Sequence, residues 1–273
     1  MTIDRLQNRF DLLKKNGRGG FVSFVTAGDP DFDTSLNIVK SLPQAGADIV
    51  ELGMPFSDPM ADGPIIQASS QRALASGMNL RHTLKLVEGF RQDDSETPIV
   101  LMGYFNPIYQ YGSNRFIEDA LSVGVDGLII VDLPPEEDDE LCHPARISGL
   151  DWIRLITPTT DSNRMQLVLN NSSGFVYYVS ITGITGTQSI SASAISDSIA
   201  QLRNATKLPI AVGFGISTAE QVSAVIKNAD AAVVGSILIR EIEKALNINP
   251  ISKSVLVDGV LNRAHELSQG IFL

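Results

Sequence analysis

The sequence lacks several features that mark particular classes of protein. Its 273 residues contain one cysteine, Cys142, so no internal disulfide can form, and we expect a reducing, cytoplasmic location. Gly, Pro or Asp interrupts each apolar stretch within about eight residues, well short of the roughly 18 to 20 needed to cross a bilayer. The 21 basic residues are outnumbered by 31 acidic ones, and the net charge of −10 repels a phosphate backbone. We therefore expect neither a membrane nor a nucleic acid as partner.

The chain instead contains short apolar runs that alternate with segments of helical periodicity. Hydrophobic residues make up 44% of it, enough for a packed core, and residues 1–15 predict an amphipathic helix. The apolar runs are rich in Val and Ile without polar alternation, as in parallel strands buried on both faces. The predicted strands are 21–26, 48–53, 98–105, 127–132, 152–157, 175–180, 210–215 and 231–235.

Helices are predicted between these strands, at 33–45, 64–91 with a break at 77–79, 113–123, 135–147, 161–170, 191–204, 217–227, 237–246 and 252–268. Eight strand–helix units in about 250 residues favour an α/β fold, the closed (β/α)8 TIM barrel, with an extra N-terminal helix. A doubly wound sheet would carry Gly-x-Gly-x-x-Gly after its first strand, whereas this strand ends in Ala27, Gly28, Asp29 and Pro30. Since no linker or low-complexity segment is present, we predict a single TIM-barrel domain over residues 1–273.

The second predicted strand and its loop hold the strongest catalytic candidates. Glu51 lies within an apolar strand, where an unpaired carboxylate is costly unless it is neutralised or hydrogen-bonded. We expect Glu51 to face the barrel cavity; the alternative is that it points outward and pairs with Arg72 or Arg81. Asp62 follows in a loop rich in Pro and Gly. It is either a second carboxylate of the same cavity or the N-cap of a helix that begins at Pro64.

Glycine-rich strand ends in the last half of the chain predict an anion site. They are residues 183–186, 213–217 and 235–236, and the last of these precedes a predicted helix. Backbone N–H groups beside glycines and at a helix N-terminus bind phosphate, and the last two loops of a TIM barrel are a common location. The three segments together favour a phosphorylated substrate, although any one of them could be an ordinary turn.

Two aldolase mechanisms, one through a Schiff base and one through a metal ion, need residues that this sequence does not place in the barrel. A Schiff base requires a lysine inside the barrel, but every lysine falls on a predicted helix or before a strand. A metal mechanism requires clustered ligands, but His82, His143 and His265 fall on separate predicted helices. We therefore expect acid–base chemistry by carboxylates, without a metal, on a phosphate-anchored substrate.

The segment from Val50 to Gly63 resembles the tryptophan synthase alpha chain family, and the resemblance covers nearly the whole chain. Further matching segments are 24–30, 104–107, 132–134, 185–186, 212–217 and 234–236. The resemblance implies a lyase of tryptophan biosynthesis that cleaves indole-3-glycerol phosphate into indole and glyceraldehyde 3-phosphate. It also implies a tryptophan synthase beta chain as partner, in an α2β2 heterotetramer. Pyridoxal phosphate would then be bound by the beta chain, with no cofactor in this chain.

The resemblance also assigns roles to individual residues. Glu51 corresponds to the acid–base residue, and Asp62 to the group that holds the indole N–H. The implied indole pocket consists of Phe24, Met102, Tyr104, Ile129, Val131, Leu155 and Tyr177, some of which must also serve as barrel core. The implied phosphate site consists of Thr185, Gly186, Gly213, Gly215, Gly235 and Ser236.

The chain departs from the family pattern after the sixth predicted strand. Ile181 stands there in place of an arginine that is common in the family, although the small polar residues 187–193 still have the composition of a mobile lid. The acidic run 136–140 begins a predicted helix, where negative charge meets the positive end of the helix dipole. Either this helix is simply capped and solvated, or the neighbouring loop of Asp132, Pro134 and Pro135 contacts the partner chain. Arg154 in the fifth predicted strand has no functional explanation.

Three other functions remain as alternatives. A stand-alone indole-glycerol-phosphate lyase would share the fold and both carboxylates but work without a beta chain. A sugar-phosphate isomerase could use Asp29, although the fifth strand ends in Thr157 and Pro158 and offers no partner carboxylate. A non-catalytic binding module would leave the buried Glu51 without a purpose.

Overall fold

The computed structural model describes residues 4–179, 192–213, 215–248 and 252–273. Its strands are β1 Gly20–Thr26, β2 Ile49–Gly53, β3 Ile99–Gly103, β4 Gly127–Ile130, β5 Asp151–Trp152, β6 Arg154–Ile156, β7 Val176–Val179, β8 Ile210–Gly213 and β9 Ala231–Val234. Its α-helices are α1 Arg5–Lys15, α2 Phe32–Ser41, α3 Pro64–Ala75, α4 Leu80–Arg91, α5 Phe105–Tyr111, α6 Ser113–Ser122, α7 Cys142–Ser148, α8 Ser162–Asn170, α9 Ala192–Ala205, α10 Ala219–Ile226, α11 Ser236–Leu246 and α12 Lys253–Ser268. Short 3-10 helices cover Pro135–Glu140 and Gln269–Phe272.

The strands form one parallel sheet that closes on itself. Neighbours along the sheet run β5, β4, β3, β2, β1, β9, β8, β7 and β6. The two outermost strands, β5 and β6, are pieces of one extended segment separated by Ile153. Residues 151–152 pair with β4 and residues 154–156 pair with β7, so this segment joins the two edges of the sheet. The predicted eight-stranded TIM barrel is therefore confirmed, with its fifth strand divided between two neighbours.

Side chains along each strand alternate between the barrel interior and the layer of helices. The interior cluster contains Val22, Ile49, Val100, Ile129, Ile153, Phe175, Ala211, Ala231 and Val233. Helix α1 closes the amino end of the barrel with Leu6, Phe10 and Leu13, and the rings of Phe10 and Phe175 lie 5.8 Å apart. The predicted N-terminal helix is thus confirmed from Arg5 onward. Because it fills the amino end, the carboxyl end of the strands is the place for an open cavity.

Two predicted elements are wrong in detail. The strand predicted at 98–105 ends at Gly103, because Tyr104 is the N-cap of α5 and Pro107 lies in the first turn of that helix. The helix predicted at 135–147 is interrupted at Leu141, whose φ of −152° is outside the helical region. It consists of a 3-10 helix followed by α7.

The remaining predicted elements are present with shifted ends. The predicted break in the helical segment 64–91 is confirmed, and Gly77 adopts a φ of +91° there. This conformation costs glycine little and separates α3 from α4. Ser180 and Phe214, at the ends of two predicted strands, lie outside the described residues.

Candidate active site

A cavity of about 480 Å³ opens at the carboxyl ends of the strands. The described residues that line it are Phe24, Glu51, Ala61, Asp62, Gly63, Pro64, Ile65, Ile66, Met102, Val131, Leu155, Tyr177, Val179, Gly215, Ile216, Val233, Gly235, Ser236 and Arg240. The wall is mostly apolar, with two carboxyl groups on one side and a guanidinium group on α11. This combination of apolar surface and few polar groups is typical of a small-molecule site.

Glu51 lies in the middle of β2, and its side chain lines this cavity. The residue is only 1% exposed, and its neighbours in register are Phe24 on β1 and Val100 on β3. Its Oε2 atom has no hydrogen-bond partner in the described part of the chain. A buried polar atom of this kind is unusual in a native structure, and here it is available to a ligand.

The alternative in which Glu51 points outward is wrong. Arg72 forms an ion pair with Asp29 instead, with 2.7 Å between its Nη2 atom and Oδ2 of Asp29. The guanidinium of Arg81 lies over the ring of Tyr111, 5.6 Å from its centroid. Both arginines therefore have other partners, and Glu51 faces the barrel cavity as expected.

Burial raises the pKa of Glu51 to about 8, and the negative charge of Asp62 adds to the rise. A carboxyl group with this pKa holds its proton at neutral pH, so Glu51 is a proton donor in the resting protein. A pKa close to neutral pH also suits a group that both donates and accepts a proton.

Asp62 lines the same cavity from the loop between β2 and α3. The N-cap alternative is wrong, because the N-cap of α3 is Gly63 and no side chain caps this helix. Burial raises the pKa of Asp62 to about 6, while a hydrogen bond with the Tyr104 hydroxyl acts in the opposite direction. Asp62 is therefore mostly ionised at neutral pH, beside a protonated Glu51.

Tyr104 supports the Asp62 loop from behind and is not among the described residues that line the cavity. Its hydroxyl oxygen accepts a hydrogen bond from the backbone N–H of Ala61 at 3.0 Å. Its ring also packs against Phe56 of the same loop, with 5.4 Å between the centroids. Tyr104 therefore lies outside the described cavity lining, and its contact with the indole stays a prediction.

The other expected apolar wall residues are divided between the cavity and the core. The cavity is lined by Phe24, Met102, Val131, Leu155 and Tyr177, as expected. Ile129 is an exception, because it is fully buried in the interior cluster, two residues before Val131 on the same face of the strand. It lies one layer deeper in the barrel, where it supports the floor of the cavity.

The glycine-rich strand ends meet at another part of the cavity. Gly215, Gly235 and Ser236 line it, and α11 begins at Ser236. Gly213 is not part of the lining: a Cβ atom at this position would collide with the ring and hydroxyl of Tyr177. The glycine thus makes room for a wall residue. Thr185 and Gly186, together with Ile181 and most of the predicted lid 187–193, lie outside the described residues.

Several lining residues are absent from the sequence-based prediction. Val179 follows Tyr177 by two positions, so strand periodicity alone could have identified it. Arg240 follows Ser236 by four positions on α11, so helical periodicity could have placed it on the same face. Ile65 and Ile66 lie on the first turn of α3, where no periodicity signal distinguishes a cavity wall from a helix packed on the sheet.

Two polar residues that the sequence left without a clear role are engaged elsewhere. Asp29 is bound to Arg72 through both carboxylate oxygens, at 2.7 Å each, and is not part of the described cavity lining. It is therefore not available as the base of a sugar-phosphate isomerase. Arg154 pairs with the buried Asp138 and donates to the carbonyl oxygen of Leu133 at 2.6 Å. It connects β6 to the segment that follows β4.

Within the described residues, no group of three or more His, Cys, Asp or Glu side chains is arranged to hold a metal ion. A search of the same residues finds no helix with the length and apolarity needed to span a membrane.

The chain is similar to one family of proteins over nearly its whole length. A family model described as the tryptophan synthase alpha chain matches residues 10–266. Tryptophan synthase subunit alpha from Legionella pneumophila strain Paris is 37% identical, with a TM-score of 0.91 over 99% of each chain. A structure of Mycobacterium tuberculosis tryptophan synthase is 31% identical, with a TM-score of 0.87 over 99% of each chain. From these matches, the chain belongs to the tryptophan synthase alpha chain family.

Proposed function

We propose that the cavity is the active site for the reaction of this family, with Glu51 as the acid–base residue and Asp62 as the group that holds the indole N–H. By its family, the protein is a carbon–carbon lyase of tryptophan biosynthesis that cleaves indole-3-glycerol phosphate into indole and glyceraldehyde 3-phosphate. One observation carries the proposed roles: two carboxyl groups with different pKa values line one apolar cavity. Separated pKa values allow one carboxyl group to exchange a proton while the other stays charged.

The proposed reaction begins with protonated Glu51, which donates its proton to C3 of the indole ring. The ring nitrogen then carries positive charge, and the carboxylate of Asp62 stabilises it through the N–H group. Glu51, now ionised, removes the proton of the hydroxyl on the adjacent glycerol carbon. The bond between C3 and that carbon breaks, its electron pair returns to the ring, and the carbon becomes the aldehyde of glyceraldehyde 3-phosphate. Glu51 ends protonated, as it began.

The lining of the cavity supports this orientation of the substrate. Phe24, Met102, Val131, Leu155 and Tyr177 offer an apolar surface for the indole ring. Gly235 and Ser236 lie at the start of α11, where backbone N–H groups and the helix dipole favour a phosphate, and Gly215, after β8, lines the same cavity. Thr185 and Gly186 are included in the proposed phosphate site from the family resemblance alone.

Glu51→Gln tests the proposed acid–base role. The amide cannot exchange the proton, so we expect indole release to slow by about a thousandfold or more. Binding of glycerol 3-phosphate should stay within about threefold of the wild-type value, because Glu51 makes no contact with the phosphate in the proposed pose. A Glu51→Gln variant that keeps more than about a tenth of the wild-type turnover would remove Glu51 from the mechanism.

Asp62→Asn tests the second carboxylate, and Asp58→Asn is its matched control. Both changes convert an aspartate of the same loop to its amide, but the Asp58 carboxylate is exposed, is bound to Ser57, and is not part of the described lining. We expect Asp62→Asn to lower kcat by at least about a hundredfold and Asp58→Asn to leave it nearly unchanged in the isolated chain. Equal kinetics for the two variants would contradict the role of Asp62.

We also propose that the chain works with a tryptophan synthase beta chain, in an α2β2 heterotetramer in which pyridoxal phosphate belongs to the beta chain. The support from this molecule is two exposed apolar side chains. Met60, on the Asp62 loop, is 85% exposed, and Tyr109, on helix α5, is 60% exposed. A contiguous exposed apolar patch is typical of a protein contact, and we propose that these side chains belong to one.

Sedimentation with a beta chain distinguishes this proposal from a stand-alone lyase. We expect a complex to form, and a Met60→Asp variant to weaken it by introducing a charge that the contact must desolvate. Ile147→Asp is the matched control, because Ile147 is 88% exposed but lies near the end of α7 that is close to the amino end of the barrel. A chain that shows full turnover alone and no association with a beta chain would favour the stand-alone enzyme.

We also propose a cytoplasmic location, because the one cysteine is free and buried, as in proteins of reducing compartments.

We propose that residues 1–273 form one domain, because α1 closes the amino end of the barrel and α12 packs on both α2 and α11.

A further inference from the structure

Arg240 is the one cationic side chain among the described residues that line the cavity. It lies on α11 and is exposed. Within the described part of the chain it forms no hydrogen bond or ion pair, whereas Lys244, one turn further along the same helix, is paired with Glu241. An arginine without a counter-ion at the wall of a cavity is free to bind an anionic ligand.

The geometry of α11 directs this side chain toward the glycine-rich end of the cavity. The helix begins at Ser236, and Arg240 follows on the same face after four residues. Side chains in a helix tilt toward its N-terminus, so a long side chain at position 240 covers the turn that begins at 236. The guanidinium therefore lies on the same side of the helix as Gly235 and Ser236, which also line the cavity.

The charges of the cavity favour a cation at this end when an anionic ligand binds. Asp62 is mostly ionised at neutral pH, and the whole chain carries a net charge of −10. A phosphate that enters this field is repelled unless positive charge lies close to it. The buried, unpartnered Oε2 atom of Glu51 shows independently that the cavity has polar groups unsatisfied without a ligand.

We propose that Arg240 is a specificity-determining residue that binds the phosphate of the substrate. This inference rests on the proposed function of the same cavity and names the side chain that selects a phosphorylated ligand. A guanidinium binds two phosphate oxygens through parallel N–H groups, which adds a charge-assisted contact to the backbone N–H groups at the start of α11. The contact does not involve Glu51, so it acts on binding rather than on proton transfer.

Arg240→Gln, Arg240→Lys and the control Lys244→Gln test the inference. Titration calorimetry with glycerol 3-phosphate measures the phosphate contact, and titration with indole measures the apolar end of the cavity. We expect Arg240→Gln to weaken glycerol 3-phosphate about tenfold, which corresponds to about 1.4 kcal/mol, and to leave indole binding within about twofold. Arg240→Lys keeps the charge but loses the two-pronged geometry, so its effect should be intermediate. Lys244→Gln should match the wild type.

Kinetics and salt dependence give two further measurements. Arg240→Gln should raise KM for indole-3-glycerol phosphate much more than it lowers kcat. The wild-type affinity for glycerol 3-phosphate should fall more steeply with added salt than that of the variant, because an exposed charge pair is screened.

The outcomes separate this inference from the proposed function. If the wild type cleaves indole-3-glycerol phosphate but Arg240→Gln binds glycerol 3-phosphate as tightly as the wild type does, the role of Arg240 is wrong and the proposed function stands. Equal loss of indole and glycerol 3-phosphate binding in Arg240→Gln would also overturn it, since the change would then act on the cavity as a whole. If the wild type neither cleaves this substrate nor binds glycerol 3-phosphate, the proposed function itself fails.

Discussion

The hydroxyl oxygen of Tyr104 lies 3.0 Å from the backbone nitrogen of Ala61, so a side chain at the end of β3 holds the loop that carries Asp62. The same hydroxyl forms a hydrogen bond with the Asp62 carboxylate that lowers its pKa. One tyrosine thus supports the loop of Asp62 and opposes the rise in pKa that burial causes in this carboxyl group. Tyr104 is a positioning residue in this arrangement.

Removal of this hydroxyl should affect the reaction without removing a wall of the cavity. Tyr104→Phe removes the hydrogen bonds to Ala61 and Asp62, each of about 0.5 to 1.5 kcal/mol, so we expect kcat to fall at least about threefold. The pKa of Asp62 should rise, so the acidic limb of the kcat/KM profile should move to higher pH. Tyr111→Phe is the control. Tyr111 is the last residue of α5, the helix whose N-cap is Tyr104, and the change removes its hydrogen bond to Asp119. An unchanged acidic limb in Tyr104→Phe would contradict this role.

The two carboxyl groups should give a bell-shaped pH profile. The proposed reaction needs Asp62 ionised and Glu51 protonated, and their pKa values are about 6 and about 8. We therefore expect kcat/KM to fall below about pH 6 and above about pH 8. Because the two carboxyl groups interact, the two apparent pKa values of this profile belong to the pair and not to single residues. A profile that is flat from pH 5 to 9 would be incompatible with this assignment.

The effect of Asp62 on Glu51 can be measured without turnover. The negative charge of Asp62 raises the pKa of Glu51, so Asp62→Asn should lower it. Carboxyl carbon NMR of Glu51 in both proteins would detect the shift, with Asp58→Asn as the control for a change in the same loop. A Glu51 pKa that is unchanged in Asp62→Asn would show that burial alone accounts for its value.

Glu51 should also destabilise the fold as the pH rises. Its pKa is about 8 in the folded chain against an ordinary value of 4.5, so the folded state keeps a proton that the unfolded state loses. The associated stability is fully present below about pH 4.5 and is lost as the pH rises toward 8, at up to about 1.36 kcal/mol per pH unit. Relative to wild type, Glu51→Gln should therefore gain about 2 to 4 kcal/mol in the free energy of unfolding between pH 4.5 and 7. Urea unfolding of both proteins at the two pH values tests this difference.

The buried ion pair of Arg154 and Asp138 should matter for stability. Their side chains are 7% and 4% exposed, so Asp138→Leu leaves a buried guanidinium without its counter-ion and should cost about 3 to 5 kcal/mol. The exposed pair of Glu136 and Arg164 is the comparison, and Glu136→Gln should change the unfolding midpoint little. Similar midpoints for the two variants would show that the buried pair is not structurally important.

Local periodicity was enough to predict the strand count. The family resemblance, and not periodicity, implied that Phe24, Met102, Val131, Leu155 and Tyr177 line the cavity, and all five do. Each of them points inward because successive side chains of a strand alternate in direction. Glu51 was identified from the sequence by a different argument, since an acid within an apolar strand is costly wherever it points.

Depth along the barrel axis could not be predicted in the same way. Ile129 and Val131 share a face of one extended segment, yet the first lies in the interior core and the second lines the cavity. Which layer a residue occupies depends on the stagger between neighbouring strands, which only closure of the whole barrel determines.

The sequence by itself thus determined an alternating βα chain, the eight-stranded barrel and a buried acid on the second strand, because these depend on patterns within a few residues. The tertiary structure decided which distant side chains meet. It brought Tyr104 to the loop of Asp62, paired Asp29 with Arg72 and Arg154 with Asp138, and placed Arg240 at the cavity wall. The residues of each of the three pairs are between 16 and 43 positions apart in the sequence, and no local pattern encodes such contacts. They follow from the way a closed sheet brings all of its strand ends to one rim.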